Sequence, residues 1–195
     1  MQPPPDPFSY LQPYAAWENA FSPVEMDAII AIGDGLKLEK ASVTYTAGDV
    51  STEDPIRITR TAWIPRGPET AWIYDRLERI IRTLNQQIYR FELSGFSDQL
   101  QYTVYDAGEG GHFDWHIDLV RHSSHRKLSF SLQLSDPSDY EGCDLEMHGG
   151  AQPMPAPRTR GTLIAFPSYV MHRVTRIRSG TRKALVIWTA GPPFR

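Results

Sequence analysis

A single cysteine, Cys143, stands among 195 residues, so no disulfide can form within the chain. The simplest reading is a reduced, intracellular and cytoplasmic protein. Basic residues are not in excess: 20 Lys and Arg against 23 Asp and Glu give a formal net charge of −3. Phosphate-rich partners usually call for a basic surplus, so nucleic acid is not an expected partner. No apolar run approaches the roughly 20 residues that span a bilayer. The opening MQPPPDPFSY has neither the basic head nor the apolar stretch of a secretory signal. Internal repeats are missing as well. What is present, 41% hydrophobic and 22% charged residues, is ordinary globular composition, and the length suits one core rather than two.

Residues 1–21 are rich in proline and aromatics, and the triple proline at 3–5 favours an extended conformation. They read as an arm that packs on the domain through Phe8, Tyr10, Tyr14 and Trp17, or as a proline-rich ligand for a partner module. Residues 22–195 read as the domain itself. Ser22-Pro23-Val24-Glu25 has capping-box spacing with proline at the first helical position, so a helix starts there and ends near Gly33 or Gly35. A strand is expected over Leu36 to Tyr45, then an acidic loop to about Pro55, then a strand over Ile56 to Ile64 that Pro65 stops. Pro68 and Glu69 open the strongest helix, with Ile73, Leu77, Ile80, Ile81, Leu84 and Ile88 as its apolar stripe.

From Leu100 the text changes to short β-type runs: Leu100–Tyr105, Phe113–Asp118, Lys127–Leu134, Cys143–Met147, Gly161–Phe166, Val170–Val174 and Lys183–Thr189. Such runs, separated by Gly, Pro, Asp and Ser, indicate a two-sheet antiparallel sandwich or barrel. Within them lies YDAGEGGHFDWHID, residues 105–118. On a strand, side chains two apart share a face, so His116 and Asp118 point the same way and Ile117 points to the other layer. An imidazole and a carboxylate on one face hold two corners of a metal site. His172, in FPSYVMHRV, is the best third corner. Two His and one carboxylate with open positions opposite is the arrangement of non-haem Fe(II) oxygenases.

Downstream of His172 the chain reads HRVTRIRSGTRKALVIWTAG, with Gly180 just before Arg182 and Lys183 at the head of an apolar strand. Here the sequence resembles the Fe(II)- and 2-oxoglutarate-dependent dioxygenases, most closely the prolyl 4-hydroxylase-like branch with its bacterial PKHD-type hydroxylases. In that family an aromatic, Gly-rich lead-in precedes H-x-D, and a basic residue ten positions after the distal His pairs with the remote carboxylate of 2-oxoglutarate. Arg182 is ten residues after His172. The resemblance extends through RKLSFSLQLSDPSDYEGCDLEM, where Cys143 replaces the usual second glycine of the turn, and covers about Leu100 to Trp188.

The resemblance implies a double-stranded β-helix, or jelly roll, with its core at about residues 100–190 and a long helix behind the major sheet. It implies Fe(II) held by His116, Asp118 and His172, with 2-oxoglutarate and O2 as cosubstrates and ascorbate as a candidate reductant. Arg182 would grip the cosubstrate in preference to Lys183, since alternation turns only one of the two inward. Tyr105 and Gln133 stand where the family places further cosubstrate contacts. Tyr102 and Trp115, with Arg57, Arg60 and Trp63 on a flanking strand, are candidate substrate contacts. His112, His122, His125 and His148 read as loop or surface residues. The segment LVRHSSHRK after Asp118 reads as a solvated loop or as a lid attracting an acidic substrate.

The implied reaction hydroxylates an unactivated C–H bond of an amino-acid residue in a peptide or protein, or of a related small molecule, with release of succinate and CO2. Two other readings stay open: a metalloenzyme using the same three ligands without 2-oxoglutarate, and a non-catalytic jelly-roll module that senses metal or binds a partner.

Overall fold

A computed structural model describes residues 13–41, 43–44, 50–51, 56–119, 124–149 and 152–194. Phe8, Tyr10, His122 and much of the loop expected before Pro55 lie outside these, as does the middle of LVRHSSHRK. In chain order the elements are β1 (Ala15–Trp17), α1 (Pro23–Asp34), β2 (Glu39–Lys40), β3 (Val43–Thr44), β4 (Val50–Ser51), β5 (Arg57–Ile58) and β6 (Arg60–Ile64). Then come α2 (Ala71–Leu84), β7 (Gly95–Phe96), β8 (Leu100–Asp106), β9 (His112–His116) and β10 (Arg126–Gln133). The chain finishes with β11 (Tyr140–Gly142), β12 (Leu145–His148), β13 (Pro153–Pro155), β14 (Leu163–Pro167), β15 (His172–Val174) and β16 (Ile177–Ala190).

Helix α1 starts as its residues dictate. Ser22 accepts from the Glu25 amide, Glu25 reaches back to the Ser22 amide, and Pro23 fills the first turn. It ends against Gly35. Gly33 is needed for a different reason: a Cβ there would lie 2.5 Å from the Tyr102 ring, so only a bare backbone lets α1 approach the sheet. Helix α2 buries Ile73, Tyr74, Leu77, Ile80, Ile81 and Leu84.

Two antiparallel sheets follow from the alternation of the strands. The larger runs β1-β14-β10-β16-β8-β6-β2, with β7 and β11 also paired to β16; the smaller runs β13-β12-β15-β9-β5. On β10, Leu128, Phe130 and Leu132 join the helices in the main apolar cluster, as do Leu100, Tyr102 and Val104 on β8 and Leu185 and Ile187 on β16. The alternate residues Gln101, Thr103, Ser129, Ser131, Gln133 and Arg182 are polar and equally buried. A sheet with one polar face normally turns that face to water. Here the smaller sheet covers it, and Tyr140, Cys143, Leu145, Phe166, Val174 and Ile177 form a second apolar cluster. Between the two sheets lies a cavity lined by both polar and apolar side chains.

Several expected boundaries move. The strand expected over Leu36 to Tyr45 is present only as β2 and β3, and Leu36 and Leu38 instead pack on the helix-side cluster. The second helix begins at Ala71 rather than Pro68, because Pro68, Glu69 and Thr70 form a turn closed by Ala71 N–H donating to Gly67 O. Ile88 is not core: the helix widens into a π-turn over Asn85–Tyr89, which swings Ile88 out to 52% exposure. Cys143 lies outside a strand, with φ of 56°. That left-handed backbone favours glycine at a cost of about 1 kcal/mol for other residues, which explains why a glycine is usual there. Residues Ala15–Trp17 pair with β14, and Tyr14 donates its hydroxyl to Pro155 O at 3.2 Å.

Candidate metal centre

Strand β9 pairs antiparallel with β15 so that His116 and His172 are direct Cα partners. Their rings meet at a centroid distance of 4.1 Å. The expected strand through Asp118 stops at His116, and the carboxylate is placed by the loop instead: the amides of Asp118 and Leu119 both donate to Ser168 O at 3.0 Å. Asp118 Oδ1 lies 3.9 Å from His116 Nε2, and Asp118 Oδ2 lies 3.6 Å from His172 Nε2. One potential ligand atom from each of the three residues lies within 4.8 Å of the other two.

The orientation of the imidazoles decides what the cluster can do. His116 Nδ1 contacts Asp114 O at 2.7 Å and His172 Nδ1 contacts Val170 O at 2.9 Å. A carbonyl can only accept, so each Nδ1 carries a proton and each Nε2 is the atom turned toward Asp118. Burial, reinforced by His172 and opposed by Asp118, pushes His116 down to about 3, so its ring stays neutral. Burial works against the Asp118 charge, yet the two imidazoles, Ser129 and Trp188 together hold its carboxyl below the ordinary carboxylate value. Two imidazole nitrogens, each ring oriented by a backbone carbonyl, and one carboxylate fit a divalent transition-metal ion.

The cavity holding these residues has a volume of about 510 Å³. Arg182 enters it from the large sheet, 2% exposed. Its Nη2 donates to Gln133 Oε1 at 2.8 Å, and its guanidinium lies 5.6 Å from the Tyr105 ring centre. Among the described residues no carboxylate pairs with it. Burial opposes its charge, but Cys143, Tyr105 and Tyr140 around it favour the protonated form. Lys183 turns the other way and pairs with Asp34 of α1 at 2.6 Å. Burial likewise raises the Tyr105 hydroxyl, against the pull of Arg57 and Arg182. A buried guanidinium held by a neutral amide is ready for an incoming anion.

The structure separates the remaining candidates. Arg57 and Trp63 line the cavity. Tyr102 does not: it is fully buried on the helix side, with its hydroxyl donated to Asp34 Oδ1 at 2.8 Å. Trp115, next to His116, takes the opposite face of β9 and packs on His148 and Arg173. Arg60 leaves the cavity for an ion pair with Glu109 at 2.9 Å. His112 contacts Gly110 O at 2.9 Å and stands apart from the three-residue cluster. His125 and His148 are exposed. The reading from sequence missed Gln101, Thr103 and Trp188 on the cavity wall, although the polar alternation of LQYTVYD carried the signal for the first two.

Residues 100–190 match the family model described as the 2OG-Fe(II) oxygenase superfamily. A PKHD-type hydroxylase of Synechococcus sp. (strain CC9311) is 41% identical over 81 residues, which is 41% of this chain and 36% of that protein. Another from Synechococcus elongatus is 30% identical over 125 residues, 61% of this chain and 56% of that protein. The alignments thus take in about a third to somewhat over half of these relatives' length. Among solved structures, a Pseudomonas putida prolyl-4-hydroxylase superposes with a TM-score of 0.72 at 19% identity, covering 92% of this chain and 93% of its own. A viral collagen prolyl hydroxylase from Paramecium Bursaria Chlorella virus-1, solved with 2OG, gives 0.67 at 18% identity, with 93% and 97% covered. At such identities the superpositions establish the fold, a double-stranded β-helix of prolyl-hydroxylase type. By sequence, residues 100–190 are similar to the 2OG-Fe(II) oxygenase superfamily and to PKHD-type hydroxylases, and by fold the chain is similar to prolyl-4-hydroxylases.

Proposed function

We propose that the chain is an Fe(II)- and 2-oxoglutarate-dependent dioxygenase that hydroxylates an unactivated C–H bond of a residue in a peptide or protein, or of a related small molecule. The observation that carries this reading is a pairing of sites in one cavity. Three residues have their Nε2 and carboxylate atoms turned together, and Arg182, buried and without an acidic partner among the described residues, lines the same cavity. Support for a peptide substrate comes from a structural relative from Trichoplax adhaerens, a prolyl hydroxylase solved with a peptide fragment. No described helix is long and apolar enough to cross a membrane; the cytoplasmic setting rests on the lone cysteine alone. Residues 22–195 would act as one domain, with residues 1–21 as its arm.

Bound Fe(II) and 2-oxoglutarate supply the O2-dependent oxidation, with release of succinate and CO2. The protein's own share is binding and placement. His116, Asp118 and His172 would hold the ion, and the Asp114 and Val170 carbonyls orient both rings for it. Arg182 grips the remote carboxylate, and Gln133 fixes the plane of its guanidinium. Tyr105, whose ring lies 5.6 Å from the Arg182 guanidinium, would add to the same subsite. Phe113 stacks on His116 at 3.5 Å between ring centres and Phe166 packs on His172 at 4.6 Å, so apolar rings shield the ligands from bulk water. Anaerobic titration with Fe(II) and then 2-oxoglutarate tests the reading. A visible charge-transfer band should appear only when both are present, and its absence from folded protein would refute the assignment.

A further inference from the structure

We propose that Arg57 is the anion-binding residue of the substrate pocket, so that the substrate carries a carboxylate close to the carbon that reacts. This rests on the oxygenase reading above and narrows it. The cations lining the cavity differ in what occupies them. Lys37 pairs with Glu39 at 2.8 Å and Arg126 pairs with Asp98 at 2.9 Å. Lys40 lies exposed at the mouth. Arg182 has Gln133 and, in the proposed complex, the cosubstrate. Arg57 is left. Among the described residues it makes no ion pair, and its Nη2 donates only to the neutral Gln101 Oε1 at 3.1 Å. Its Nε is buried without a hydrogen-bond partner.

Nothing about Arg57 suggests a side chain free to swing out to water. Strand β5 pairs with β9 in the register Arg57 to Phe113, and the guanidinium lies 4.6 Å from the centre of the Phe113 ring, which itself stacks on His116. Arg57 is therefore clamped one strand away from a metal ligand, with a buried unmet donor. A donor in that state is unfavourable until an acceptor reaches it. Counting charge points to what the acceptor is. The two charges of the ion and that of Arg182 match Asp118 and the two carboxylates of 2-oxoglutarate. The Arg57 charge is then the surplus in the pocket, and a carboxylate on the substrate neutralises it with the geometry a guanidinium prefers. Trp63 and Trp188, 6.3 Å apart, form the apolar wall beside it.

The carboxylate could belong to a free or N-acetylated amino acid, to a peptide C-terminus, or to an acidic side chain, and one experiment separates these. Protein loaded anaerobically with Fe(II) and 2-oxoglutarate is titrated with three matched sets: free and N-acetyl amino acids, dipeptides with free C-termini, and peptides containing Asp or Glu. Each acid is run against its own carboxamide. Occupancy is read from tryptophan fluorescence and from the change in the visible band, neither of which needs turnover. At least one set should bind more tightly as acid than as amide, by on the order of 10- to 100-fold. Arg57→Gln should erase that preference while the band still forms, and Arg57→Lys should restore part of it. The proposal is overturned if wild-type protein never distinguishes acid from amide, or if Arg57→Gln keeps the distinction. The acid-against-amide comparison on wild-type protein stands even if a variant fails to fold. Failure of the band in wild-type protein overturns the oxygenase reading itself, and this inference with it.

Discussion

His116 and His172 face each other as Cα partners across the β9–β15 pairing, and each ring is turned by a carbonyl two residues upstream, Asp114 O and Val170 O. The ladder register therefore sets the distance between the two rings, and local backbone sets their orientation.

Loss of one ring should remove the site rather than weaken it. Disturbing groups that merely orient a ligand typically costs about 10- to 100-fold in metal affinity. His172→Ala should therefore lower Fe(II) affinity by more than about 100-fold. Equilibrium dialysis checks the affinity, and circular dichroism should show the sheets retained.

Acid should destabilise the metal-free protein through His116. Its folded-state value of about 3 lies below the ordinary histidine value of 6.5, so between these limits the unfolded chain binds the extra proton. Stability then falls as pH drops below about 6.5, by up to about 1.4 kcal/mol per pH unit from this group, and levels off near 3. Asp118, also depressed, adds to the loss only at the acid end, as pH falls through its folded value. Urea unfolding of apo-protein at pH 7.5 and 5.0 measures the slope. His116→Gln should flatten it.

Arg182 and Lys183 are adjacent but should behave as opposites. Arg182→Ala should weaken 2-oxoglutarate binding by on the order of 100-fold, and Gln133→Leu by about tenfold, as charged and supporting hydrogen bonds are lost. Lys183→Met breaks only the partly exposed pair with Asp34, costs about 0–1 kcal/mol of stability, and should leave cosubstrate affinity unchanged. Titrating the visible band with 2-oxoglutarate separates the two. Equal losses from both substitutions would contradict the inward placement of Arg182 as the cosubstrate anchor.

Tight contact between α1 and the sheet predicts a stability effect far from the metal. Gly33→Ala would drive a methyl group into the Tyr102 ring and should destabilise the fold by about 1–3 kcal/mol. Thermal melting checks this, and Fe(II) affinity should be unaltered while the protein remains folded.

Much of the site could be read from the sequence because its chemistry is carried by residue type and spacing. H-x-D, the distal His172 and a basic residue ten positions later survive any modest error in strand boundaries. Asp118 shows this: the strand ends before it, yet the Ser168 carbonyl brings it back to the same side. Other assignments went against an alternation already present in the sequence, or needed the third dimension. Tyr102 and Tyr105 were both placed at the cavity, but they lie on one strand an odd number of residues apart, so period-two alternation alone forbids it. Arg57 and Arg60 are likewise an odd number of residues apart, and the odd-numbered Arg57, Thr61 and Trp63 line the cavity while Arg60 does not. The chain leaves the small sheet for the large one at Thr59, whose hydroxyl is donated to Val104 O at 2.8 Å. No periodicity in the text marks that crossing. Ile88 was lost to a π-turn, which a regular helical stripe cannot foretell.

Ala15–Trp17 also determines what the rest of the molecule exposes. These residues supply the hydrogen-bonding partners of Leu163, Ile164 and Ala165. A chain shortened to begin after Trp17 would leave that row of amides and carbonyls open along a hydrophobic strand, the template on which a second molecule adds by strand pairing. Such a truncation should self-associate even with its metal ligands untouched, so aggregation would be the first sign of the missing segment and lost catalysis a later one.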